Sequence, residues 1–178
     1  RFIDLNNMDI KKIGPIGAEI NKINLSDLRK DDIVKIKEYF LDHSVIVFRN
    51  QNLDPEDLKN IANLWGGASI HPVFKGIEGH PEIIEIRNYG EKYHTNAHWH
   101  SDVTFEEDPP DATLLYSIEV PKEGGDTLFS SQYLAYDELE NDLKSSLAGK
   151  KAIHSNLGVL MLSGGDTKNA KTVFKVFF

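Results

Sequence analysis

Strand-like and helix-like segments alternate through the first part of this chain, but the alternation fails after residue 80, and that failure narrows the fold more than any other feature. "IKKIGPIGAEINKINL" sets apolar residues on either side of Gly14, Pro15 and Gly17, which predicts two short strands joined by a tight turn. "SDLRKDDIVKIKEYFLDH" then offers polar capping residues followed by Ile33, Ile36 and Phe40 at three- and four-residue steps. That spacing makes one apolar face of a helix, and such a face needs a sheet to lie against. "SVIVFRNQ" reads as a short strand, and "LDPEDLKNIANLWGG" as a second helix with Asp54 at the N-cap, Pro55 at the first helical position and Gly66 or Gly67 as its stop. Beyond residue 80 the pattern is mostly strands. "PEIIEIRNY" alternates as a strand with one wet face, "ATLLYSIEV" reads as a more buried strand, and "GGDTLFSS" leaves a glycine turn into another. "YLAYDELENDLKSSLAGK" spaces Leu139, Leu143 and Leu147 four apart, a helix ending at Gly149, and "KAIHS" begins one more strand. From Gly158 onward no period emerges. A doubly wound sheet would need the alternation to continue, so the expectation is an α+β chain, mainly β, built on an antiparallel sandwich or barrel. With no repeat, linker or low-complexity tract, residues 1–178 are expected to form a single domain.

Composition removes several functions. The net charge is −8, with 20 Lys and Arg scattered among 28 acids, so no basic stripe exists to track phosphates and nucleic acid is excluded as the expected partner. Without cysteine there are no disulfides, thiolate metal sites or cysteine nucleophile, which leaves histidine and carboxylate as metal ligands. No wholly apolar run is longer than Val45 to Phe48, far short of a membrane span, and "RFIDLNNMDI" lacks a signal-peptide core; a cytoplasmic protein is the expectation. Both ends, Arg1 and the apolar "TVFKVFF", read as cuts in a longer chain.

Most of the 7 histidines have ordinary explanations. His43 falls at a helix end, where a cation complements the dipole, and His80 and His94 fall in polar loops where solvation is expected. "NAHWHSDVTF" differs. In an extended strand residues two apart share a face, so His100 and Asp102, with His98 at the same parity, can reach one ion. Imidazole with carboxylate suits borderline first-row metals, and two histidines with one carboxylate is the facial arrangement of non-haem iron(II) oxygenases. The same spacing also describes a wet strand whose polar residues face solvent.

The flanking sequence extends well beyond that pair. "WHSDVTFEEDPPDATLLYSIEVPKEGGDTLFSS" resembles the core motif of the taurine dioxygenase family, the sulfonate and phenoxyacetate branch of iron(II)- and 2-oxoglutarate-dependent dioxygenases. "SVIVFRNQNLDPEDLKNIANLWGG" is similar to that family's first strand, its "R-x-Q" turn and the helix after it, and "IGAEINKINL" resembles its opening strand pair. The resemblance implies a double-stranded β-helix, a jelly-roll variant with flanking helices, incomplete at its C-terminus. It implies that His100 and Asp102 are iron ligands and that His98 is only their neighbour. Thr127 of "GGDT" then helps to hold a carboxylate of 2-oxoglutarate, while His71 in "SIHPVF", Phe74, Asn96 and Val103 line the substrate pocket. Where taurine enzymes carry a tyrosine this chain has Phe74, one hydroxyl fewer for a polar substrate group. His154 matches a histidine that is not a ligand; the third iron ligand and the arginine that grips 2-oxoglutarate lie further along than Phe178.

For the complete protein the resemblance implies Fe(II) as cofactor, 2-oxoglutarate and dioxygen as cosubstrates, a small anionic substrate such as taurine, release of sulfite and an aldehyde, and a homo-oligomer. Alkyl sulfates or aryloxyacetates are alternative substrates. A zinc or manganese hydrolase and a non-catalytic jelly-roll module are the alternatives outside the dioxygenases.

Overall fold

The computed structural model describes residues 8–87 and 98–176. Contacts divide the chain into two compact units, each assembled from two stretches: Arg1–Ala68 with Tyr116–Glu138, and Ser69–Leu115 with Leu139–Phe178.

In the first unit, β1 (Asp9–Lys12) and β2 (Ala18–Asn21) pair antiparallel with Ile10 opposite Ile20, as the Gly-Pro-Gly interruption predicts. Gly17 makes the return possible: its φ is 105°, and a Cβ there would sit 3.2 Å from the carbonyl oxygen of Ile13. Helix α1 (Lys30–His43) follows a single turn of 3-10 helix, and β3, only Ile46–Val47, lies parallel to β2. Helix α2 (Pro55–Trp65) starts as expected, with the Asp54 carboxylate accepting from Asp57 N at 2.8 Å and Asp57 reaching back to Asp54 N at 3.1 Å. The apolar face of α1 delivers Ile33 and Ile36 into a buried cluster with Ile20, Ile23, Leu25 and Ile61, and Phe40 meets Trp65 edge-on at 5.3 Å.

Two polar devices hold this core together. Asp32, fully buried at the start of α1, accepts from Arg29 N (2.8 Å), Nε (3.1 Å) and Nη2 (3.0 Å). Gln51 of the "R-x-Q" turn donates to the carbonyls of Ile23 (3.0 Å) and Arg49 (2.8 Å) and accepts from Leu25 N at 2.9 Å. Its side-chain amide thus replaces strand pairing where the chain leaves β3. Helix α3 (Gln132–Asp137) completes the unit, its N-cap Ser131 accepting from Leu134 N.

The second unit holds α4 (Asn141–Leu147) and an antiparallel pair, β4 (Lys151–Ser155) and β5 (Thr172–Val176), bridged by α5 (Leu157–Ser163). The last two elements come from the stretch in which no sequence period was visible.

Three expectations are corrected. The single helix over "YLAYDELENDLKSSL" is two: α3 ends at Asp137, Leu139 falls in the break, and α4 begins after Glu140, where Asp142 in its first turn complements the dipole of a new N-terminus. "ATLLYSIEV" and "GGDTLFSS" are not strands, and "PEIIEIR" is not one within the described residues. An extended segment becomes a strand only beside a partner, and among the described residues no backbone-to-backbone bond involves residues 107–130. Leu115 and Ile118, expected inside, are 66% and 87% exposed. The jelly roll expected from the sequence is therefore represented by two small sheets that close no barrel among the described residues, and helices hold more of those residues than strands do.

Candidate active site

His100 and Asp102 do meet, though not through strand parity. Residues 102–105 form a turn closed by a bond from Glu106 N to the Val103 carbonyl (3.0 Å), and Val103 takes a φ of 53°, left-handed backbone in which a β-branched residue is strained. Within this bend His100 Nε2 lies 3.4 Å from Asp102 Oδ1. The remaining polar atom of each side chain is occupied. His100 Nδ1 is 2.6 Å from the His98 carbonyl oxygen, which can only accept, so Nδ1 carries a proton and Nε2 is the ring nitrogen turned toward Asp102. Asp102 Oδ2 accepts from the Thr113 hydroxyl at 2.8 Å, which leaves Oδ1 as the outward oxygen.

This donor set fits a first-row metal. Two donors about 2.1 Å from one ion, placed between a right angle and a tetrahedral angle, lie about 3.0–3.4 Å apart, and the observed separation is 3.4 Å. Each side chain also has an outer hydrogen bond of the kind that metal-binding imidazoles and carboxylates carry. Among the described residues no group of three His, Cys, Asp or Glu converges; His100 and Asp102 stand as a pair. His98 supplies its backbone carbonyl to the His100 ring.

His71 and Phe74 sit on a neighbouring loop of the same unit, their rings 4.8 Å apart and tilted by 36°. His71 Nδ1 accepts from Val73 N (3.1 Å) and Phe74 N (3.0 Å), which places the imidazole proton on Nε2. Burial pushes the pKa of His71 below its ordinary 6.5, against the opposing pull of the Asp102 charge. The outcome is a neutral ring with one N–H to offer. The loop turns tightly, because the backbone of Pro81 packs onto Gly76 where a Cβ would otherwise stand.

The turn bearing Asp102 is anchored from both sides. Phe105 is buried, and Glu106 takes Lys171 Nζ at 2.6 and 2.9 Å beside β5, while Lys171 N donates to Asn156 Oδ1 at 2.8 Å. Val103 is half-buried; His154 pairs with Val173 inside the β4–β5 ladder, in keeping with a structural role. His80, expected in solvent, is half-buried, with Nδ1 3.9 Å from Glu82 Oε1, because the Ile77–His80 bridge draws it inward. Thr127 belongs to the first unit, exposed, after Gly124 and Gly125 at φ 77° and 73°, as the glycine turn predicts. Asn96 and His94 lie outside the described residues. Sequence reasoning missed Thr113, which is set apart from Asp102 by eleven positions and by nothing in its local motif.

An imidazole and a carboxylate 3.4 Å apart, each with its other polar atom already bonded, form the candidate site. The chain matches the family described as taurine catabolism dioxygenase TauD, TfdA over residues 9–170, and it belongs to that family of 2-oxoglutarate-dependent dioxygenases. It is 35% identical over 146 residues to an alpha-ketoglutarate-dependent sulfate ester dioxygenase of Pseudomonas putida, covering 80% of this chain and 48% of that protein. To an alpha-ketoglutarate-dependent sulfonate dioxygenase of Saccharomyces cerevisiae it is 31% identical over 169 residues, covering 86% of this chain and 40% of the relative. A crystal structure of a taurine dioxygenase from Burkholderia xenovorans matches with a TM-score of 0.72 and 29% identity, over 83% of this chain and 54% of that one. The chain thus spans about half the length of the relatives it matches.

Proposed function

We propose that the protein containing this chain is an iron(II)- and 2-oxoglutarate-dependent dioxygenase that hydroxylates the carbon bearing a sulfonate or sulfate ester group of a small alkyl substrate, with taurine the first candidate. The observation that carries the proposal is the pair His100 Nε2 and Asp102 Oδ1, 3.4 Å apart with the other polar atom of each ring or carboxylate already bonded. In this reading residues 1–178 are one portion of a single double-stranded β-helix domain, and the exposed Leu115, Ile118, Leu128 and Phe129 lie under the remainder of that domain.

Iron(II) with 2-oxoglutarate and dioxygen supplies the oxidising power that exchanges a substrate C–H for C–OH. The residues of this chain do the holding and aiming. His100 and Asp102 bind the ion through Nε2 and Oδ1. Thr127, reached by a turn that only Gly124 and Gly125 make easily, gives its hydroxyl to a carboxylate of 2-oxoglutarate. His71 donates Nε2–H to an oxygen of the anionic head while Phe74 packs beside it, and Asn96 and Val103 complete the lining. A carbon that carries both hydroxyl and sulfonate collapses to an aldehyde and sulfite; the sulfate ester collapses to an aldehyde and sulfate.

A second reading, in which sulfate esters are preferred to taurine, is favoured by Phe74, which offers the substrate no hydroxyl. Incubation of the complete protein with iron(II), 2-oxoglutarate and either taurine or a short alkyl sulfate separates the two. Sulfite from taurine supports the first reading, sulfate from the ester supports the second, and uncoupled 2-oxoglutarate consumption with neither product argues against both.

A further inference from the structure

We infer that Thr113 is a positioning residue for the metal: its hydroxyl, by occupying Asp102 Oδ2, holds the carboxylate to one-oxygen binding through Oδ1. The inference rests on the iron-site reading of His100 and Asp102 and extends it to a residue that touches no substrate.

A carboxylate on a short side chain does not fix its own rotation. The terminal torsion of aspartate is broad and nearly two-fold, so the two oxygens exchange places easily unless something distinguishes them. Here something does. Thr113 Oγ1 stands 2.8 Å from Oδ2, and His100 Nε2 faces Oδ1. Thr113 is a good strut because two heavy atoms on Cβ restrict its first torsion. The Asp102 side chain is 49% exposed, so surrounding packing does not supply the constraint that the hydroxyl does.

The consequence is a matter of available positions. A carboxylate that gripped a metal ion with both oxygens would take two coordination positions where one suffices. Tying Oδ2 to a hydroxyl keeps the second position available to exchangeable ligands and orients the remaining lone pair beside Nε2. Outer hydrogen bonds of this kind alter metal affinity by about 10- to 100-fold when removed. Valine in place of Thr113 matches its shape and deletes only the hydroxyl.

The test is anaerobic equilibrium titration of iron(II) into the complete protein as wild type, Thr113→Val and Thr113→Ser, followed by addition of 2-oxoglutarate and recording of the visible charge-transfer absorption of the chelate. Thr113→Val is expected to bind iron(II) about 10- to 100-fold more weakly and, at saturating metal, to give an altered band. Thr113→Ser is expected to restore both, and all three proteins to melt together without metal. Wild-type affinity and band in Thr113→Val would overturn the positioning role alone, as would a serine variant no better than valine or a metal-free melting loss confined to valine. Wild-type protein that takes up no iron(II) would instead overturn the metal-site reading and this inference with it.

Discussion

Replacing Asp32 tests the core of the first unit at the point where its energetics are most concentrated. The carboxylate is fully buried and takes three bonds from Arg29, one of them from the backbone N–H that precedes α1. Losing a helix cap of this kind costs about 1 kcal/mol. The guanidinium bonds are charge-assisted, but the Arg29 side chain is 46% exposed, so solvent screens them. Buried donors left without an acceptor raise the total for Asp32→Asn to about 2–3 kcal/mol, or roughly 5–10 °C in melting temperature for a chain of this size. The pH dependence supplies the sharper check. Burial pushes the Asp32 carboxyl up, yet the bonds from Arg29 together hold it below its ordinary 3.8. A depressed carboxylate contributes stability that is fully present above its unfolded value and lost as pH falls through the folded one. The gap between wild type and Asp32→Asn, followed by urea denaturation, is therefore full at neutral pH, begins to close near pH 4 and vanishes in stronger acid. A gap under about 1 kcal/mol at neutral pH, or one of equal size at all pH values, would refute this reasoning.

Further outcomes follow from the second unit. His71→Ala is expected to raise the substrate KM far more than that of 2-oxoglutarate, and equal effects would remove His71 from the substrate side. With its pKa lowered by burial, His71 should appear by nitrogen NMR as a neutral ring protonated on Nε2 at pH 7, and wild type should lose stability relative to His71→Ala as pH falls through the ordinary 6.5. A charged ring at pH 7 would contradict that. Gly76→Ala forces a methyl group onto the Pro81 backbone. It should raise the substrate KM while leaving iron(II) affinity within about two-fold, since the loop it disturbs carries His71 and not Asp102; a matching loss of iron would show that the two loops move together.

What could be read from the sequence was what local chemistry decides. Asp54, Pro55 and Gly66 bound α2 as their residue types dictate, and Gly17 bends the first hairpin where only a glycine fits easily. The pairing of His100 with Asp102 was legible as a motif, but its geometry was not. Alternation suggested a strand, whereas Val103 at a φ of 53° makes a bend, a conformation that valine by itself disfavours and that surrounding structure must impose. Strands such as "ATLLYSIEV" failed for a related reason: the pattern shows a willingness to pair, and pairing needs a neighbour. Thr113 was invisible because its partner is Asp102, eleven residues away, and the bond between them exists only once both loops are folded.

The most direct test of an iron site on His100 and Asp102 is anaerobic titration of iron(II) into the complete protein in the presence of 2-oxoglutarate, with taurine or an alkyl sulfate added afterwards and Asp102→Ala run alongside. The expected result is a weak visible charge-transfer band in wild type that shifts when substrate is added and is absent from Asp102→Ala. Folded wild-type protein without a band, or an Asp102→Ala variant with the same band, would contradict the assignment and return the pair to the surface of the turn.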